Sequence, residues 1–110
     1  MGSMMFEELL VAIKKIKAEE TRKQSEKYFE VVIAKTEMEA LHALLLSYFG
    51  TPLKPAGERP GPEVRAYADP YGGIQPNQIM YFRQGQAGAE FALLWPWGSG
   101  MSLTAKIIRE

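Results

Sequence analysis

The chain has 110 residues, 46% of them hydrophobic, which is enough apolar material for one core in a single domain. Thirteen Lys and Arg balance thirteen Asp and Glu, so no global field draws the protein to nucleic acid or to an anionic membrane. The absence of cysteine excludes disulfides, thiolate nucleophiles and thiolate metal sites, and it fits a reducing, cytoplasmic setting.

Residues 1–3, Met-Gly-Ser, read as an expression scar and leave 4–110 as one domain. No run approaches the roughly 20 apolar residues of a membrane span, so no membrane association is expected. Phe6, Leu9, Leu10, Ile13 and Ile16 then mark one face of an amphipathic helix. KAEETRKQSEK (17–27) offers only Ala18 for burial. It reads as a solvated extension of that helix, with i,i+4 pairs such as Glu19–Lys23.

YFEVVIAK (28–35) groups three β-branched residues and alternates, which predicts a strand; the rival is one helix running on to Tyr48. Thr36-Glu-Met-Glu39 has the form of a capping box and favours a fresh helix start there. That second helix carries Met38, Leu41, Leu44, Leu45 and Tyr48, and stops at Gly50, a residue that tolerates a left-handed cap.

All seven prolines and nine of the ten glycines lie from Gly50 onward, so a helix-rich half gives way to a strand-and-turn half. TPLKPAGERPGP (51–62) is a stiff, extended loop. Four strands are expected after it, at 63–68, 78–84, 90–97 and 102–109, joined by DPYGGIQPN, GQAG and GSG.

Register follows from the turns. If Gly98-Ser99-Gly100 is the whole hairpin loop, Trp97 faces Met101, Trp95 faces Leu103, Leu93 faces Ala105 and Phe91 faces Ile107. Every member of that face is apolar. Across GQAG, Gln84 faces Ala89, Phe82 faces Phe91 and Met80 faces Leu93, which continues the same face over three strands. The expected fold is therefore α+β: a two-layer sandwich of helix, strand, helix and a four-strand antiparallel meander, with both helices on one face. Trp95 is core in this arrangement. Trp97 lies at the strand end, open to rim packing, a partner or a stacked ligand.

Little in the chain carries chemistry. His42, the only histidine, borders the apolar face of the second helix with Glu39 as its one acidic companion; it reads as border packing, or as a ligand or base. Asp69 and Tyr71 in DPYGG supply turn chemistry, or a carboxylate–phenol pair for acid–base work. No phosphate-loop, zinc-protease or calcium-loop motif occurs, and no metal or cofactor is expected. Lys14, Lys15, Lys17, Arg22, Lys23 and Lys27 are interleaved with Glu19, Glu20 and Glu26, which argues against a phosphate-binding stripe.

The sequence is read as a non-enzymatic binding or protein-interaction module, self-associating as a homodimer. A meander leaves 102–109 at an edge, with Lys106 its only inward charge against pairing. Either 28–35 of the same chain or a second copy must cover that edge, which makes Met101 and Ile108 interface residues. Trp97, Asp69, Tyr71 and His42 are the candidate ligand or partner contacts. The alternatives are a small metal-independent enzyme using Asp69, Tyr71 or His42, and a nucleic-acid binder using the first helix.

Overall fold

The computed structural model describes residues 5–110; the expression scar read at 1–3 lies outside them. Helix α1 (Phe6–Lys14) buries Phe6, Leu9 and Ile13, as its spacing predicts, and the Met5 N–H donates to Glu8 Oε1 at 2.9 Å at its start. The charged stretch after it is not a helix extension. It forms β1 (Ala18–Gln24), almost wholly exposed, paired antiparallel with β2 (Tyr28–Ala34). Ser25 makes the turn: its N–H donates to the Tyr28 carbonyl at 2.8 Å and its hydroxyl accepts the Tyr28 N–H at 3.1 Å. β1 is a sheet edge, and its charges and two register shifts suit an edge that must not recruit another strand.

Residues 28–34 are the strand that their alternation predicts. A single 3-10 turn, Lys35–Glu37, leads into α2 (Met38–Phe49), which has no side-chain cap bond. The capping box of Thr36 and Glu39 is therefore not made, because the 3-10 turn moves the helix start past Thr36. The other end matches expectation: Gly50, at φ 83°, stops α2 and donates to the Leu46 carbonyl at 2.9 Å.

The strand expected at 63–68 is a helix, α3 (Pro62–Ala68), continued by a 3-10 turn at Asp69–Tyr71. Pro62 at its first position needs no hydrogen-bonded N–H and has the helical φ built in. Val64 and Ala68, four residues apart, are its buried face. In the proline-rich loop before it, Lys54 is 2% exposed, and its ammonium donates to the carbonyls of Pro76 and Gln78 at 2.5 Å each. The Lys54 backbone also exchanges hydrogen bonds with Met80, so this loop shields the outer edge of β3 (Ile79–Gln84).

With β4 (Ala89–Pro96) and β5 (Ser102–Arg109), the sheet runs β1-β2-β5-β4-β3, antiparallel throughout. The β3–β4 register is the expected one. The β4–β5 register is shifted by one residue: Phe91 faces Ile108, Leu93 faces Lys106 and Trp95 faces Thr104. Trp97 N–H donates to the Ser102 carbonyl at 2.9 Å, so Met101 joins the glycines in the loop, where Gly100 sits at φ 75°. Apolar matching did not reveal the extra loop residue because both faces of these strands are buried, so polar Thr104 and Lys106 lie on a buried face and hydrophobicity does not separate the two registers.

Helices on both faces replace the expected two-layer sandwich. α1 and α2 cover Val31, Ile33, Ala92, Leu94, Leu103, Ala105 and Ile107 on one side. α3 and its following turn cover Met80, Phe91, Leu93 and Ile108 on the other. β5 lies between β2 and β4 rather than at an edge, and Ile108 is fully buried. Ile108 is therefore not an interface residue in the folded chain.

Candidate functional site

α3 is too short to cover its whole face of the sheet. It lies over β3 and β4, and beside it, above β2 and β5, a groove of about 820 Å³ remains. Lys23, Lys27, Tyr28, Glu30, Pro70, Tyr71, Gly72, Lys106, Arg109 and Glu110 line it. Each strand contributes through its alternation: Tyr28 faces Ile108 and Glu30 faces Lys106 across the β2–β5 pair, all on the α3 side.

Lys106 is the central side chain. The residue is 8% exposed, its ammonium lies 3.5 Å from the centroid of the Trp95 ring, and it donates to the Tyr71 carbonyl at 2.7 Å. Among the described residues no carboxylate lies within ion-pair distance of it. Burial pulls its pKa below the ordinary lysine value, opposed by the field of Glu30. Gly72 permits this packing. A Cβ there would meet Trp95 Cη2 at 2.4 Å, and its φ of 107° already favours glycine. The indole Nε1 of Trp95 is buried without a hydrogen-bond partner among the described residues.

Tyr28 and Tyr71 form the wall. Their rings stack at 5.9 Å, and Tyr71 also meets Phe91 edge-on at 5.7 Å. The Tyr28 hydroxyl donates to Glu30, and burial together with that carboxylate pushes its pKa upward. Burial raises Tyr71 as well. Glu30 is in turn 3.7 Å from Arg22, and the Lys23 ammonium stands 5.5 Å from the Tyr28 ring centroid.

A second polar cluster lies at the Arg109 end of β5. Glu90 is 7% exposed, accepts from the Tyr48 hydroxyl, and lies 3.8 Å from Arg83 and 3.6 Å from Arg109. Arg109 also donates to Glu7 at 2.8 Å and covers the Phe6 ring. That bond holds the Glu7 carboxyl below its ordinary range and the Arg109 guanidinium above. The cluster ties α1 and α2 to the sheet and consumes its own charges, so it is a clamp.

The structure brings Tyr71 into the groove and leaves the other sequence candidates apart. Asp69 is exposed at the start of its 3-10 turn, and its carbonyl accepts the Gly72 N–H. His42 is on α2, across the sheet, with Nδ1 3.4 Å from the Tyr81 hydroxyl, and burial lowers its pKa. His42 therefore lies apart from Asp69 and Tyr71. Trp97 folds onto the hairpin, donating from Nε1 to Thr104 Oγ1 at 2.9 Å beneath the Arg22 guanidinium. Met101 is 61% exposed in the same loop. A basic first helix is not formed either, since α1 stops at Lys14 while Arg22 and Lys23 belong to β1.

Lys106, Tyr28, Lys23 and Glu30 are functional candidates that sequence reasoning did not select. Lys106 had one signal: it is the lone charge inside SLTAKII. Among the described residues no group of three His, Asp or Glu side chains is placed to hold a metal, and no helix is long and apolar enough to cross a membrane. No family model matches the chain, and no curated protein or solved structure shows significant similarity to it.

Proposed function

We propose that the protein is a binding module whose groove between β2, β5 and the turn after α3 takes an anionic ligand. The observation that carries this reading is Lys106. An ammonium withdrawn from water is costly unless it is paired, and this one has a ring and a single carbonyl for company. An anion in the groove supplies the missing charge, and Lys23 and Lys27 line the same space. The volume falls within the range of about 300–1,000 Å³ common for small-ligand pockets. The test is a calorimetric titration with acetate, citrate and inorganic phosphate, run on the wild type and on Lys106→Met. Binding by the wild type that Lys106→Met loses is expected; the same heats from both proteins would refute the reading.

Self-association is a second reading, favoured by one observation. Trp97 and Met101, 41% and 61% exposed, place two large apolar side chains on the tip of the β4–β5 hairpin. A two-fold contact between two such tips would bury both.

A further inference from the structure

We propose that the ligand of this groove is the dianionic group of a phosphate monoester, held by Lys106 at depth and by Lys23 and Lys27 nearer solvent. The inference rests on the reading of the groove as an anion site and goes on to name the anion. Pairing within the lining selects its charge. Glu30 is answered by Arg22 at 3.7 Å, and Arg109 by Glu7 at 2.8 Å and Glu90 at 3.6 Å. Of the lining charges, Lys23, Lys27 and Lys106 then stand against Glu110, with no ion pair among these four in the described residues. With Glu110 counted, two positive charges are unanswered, and a carboxylate answers one and leaves the other. A phosphate monoester carries about −1.5 to −2 charges and three acceptor oxygens at neutral pH, which matches that excess of two in a groove lined by three lysines. Lysine binds phosphate as a point charge and needs no forked geometry.

The shape argues the same way. Lys106 is only 8% exposed, and Trp95 and the Tyr71 carbonyl fix its ammonium before any ligand arrives. A fixed cation loses little freedom on binding. The stacked Tyr28 and Tyr71 rings offer an apolar wall for the carbon skeleton next to the phosphate. A nucleic-acid backbone fits less well: its diesters carry one charge each and call for cations spaced along a strand.

The test is calorimetry at about pH 7.5, where a monoester is mostly dianionic. The probes are phenyl phosphate, benzoate and the monoanionic diester dimethyl phosphate. Phenyl phosphate is expected to bind at least about tenfold tighter than either monoanion, as charge-assisted contacts to a second and third lysine require. Lys106→Met, and separately the surface variant Lys23→Gln with Lys27→Gln, should each weaken it by about tenfold, while Lys35→Gln, outside the groove, should not. The lysine pair keeps the test valid if Lys106→Met folds poorly. Benzoate equal to phenyl phosphate, with both lost in the variants, would overturn the phosphate assignment and leave the anion site standing. Failure of all three probes would remove both. A phosphotyrosine peptide that outbinds phenyl phosphate would make the group a protein side chain, and equal affinity a free small molecule; either outcome upholds the monoester.

Discussion

Glu30 and Lys106 face each other directly across β2 and β5, yet they are not an ion pair. The carboxylate turns to the Tyr28 hydroxyl and Arg22, and the ammonium to the Trp95 ring and the Tyr71 carbonyl. An opposite-charge pair at such a position normally stabilises a sheet by about 0.2–1 kcal/mol. Here both partners are held apart by better-placed neighbours, which keeps the ammonium at the groove.

Gly72→Ala should disturb that arrangement. The new Cβ would fall 2.4 Å from Trp95 Cη2 at a φ of 107°. The expected loss is about 2 kcal/mol, from backbone strain and overpacking together. Urea unfolding measures it, and a shifted tryptophan emission should accompany it. An unchanged midpoint would mean that Trp95 does not need the glycine.

The clamp at Glu90 should behave as a unit. Tyr48→Phe removes one hydroxyl from a buried carboxylate and is expected to cost about 1.5–3 kcal/mol. A double-mutant cycle with Glu90→Gln should give a coupling of at least about 0.5 kcal/mol. Strict additivity would show that the two residues act independently.

His42 should make stability depend on pH in a narrow window. Burial depresses its pKa below the ordinary 6.5, so the unfolded chain takes up a proton that the native state refuses. Stability is then full above about pH 6.5 and falls as the pH drops from there toward the native value. His42 is the only histidine, so His42→Gln should flatten the urea midpoint between about pH 7 and 5.5. A slope unchanged by the substitution would assign the effect to other groups.

If the hairpin tips associate, sedimentation at rising concentration should reveal a two-chain species. Trp97→Ser combined with Met101→Ser should abolish it at a cost in stability of about 1–3 kcal/mol, since Trp97 is 41% exposed and also donates to Thr104 while Met101 is 61% exposed. A single-chain mass at every concentration would end the self-association reading.

What the sequence disclosed depended on where each residue finds its partners. Tyr28–Ala34 was legible because β-branched residues alternate there, and the β3–β4 register because Gly85 and Gly88 bound its loop. β1 was hidden by its own position: an edge strand needs charge, and the same charges fit a solvated helix. α3 was hidden by length, since seven residues carry too little periodicity to separate helix from strand. The groove could not be read at all. It exists only once β2 lies against β5 and the Tyr71 turn folds over Lys106.

The placement of β5 also dictates the order in which the molecule can assemble. β1–β2 and β3–β4 are local hairpins that can form early, but neither pairs with the other. The fifth strand, joined to β4 by a short loop, must also pair with β2, placing Tyr28 opposite Ile108 across most of the chain's length. Closing so long a loop is slow, because its entropy is lost before the contacts repay it. Until then, both hairpins expose apolar flanks to their surroundings. A chain cut short before Ser102 would keep two hairpins and lack the strand that makes them one sheet.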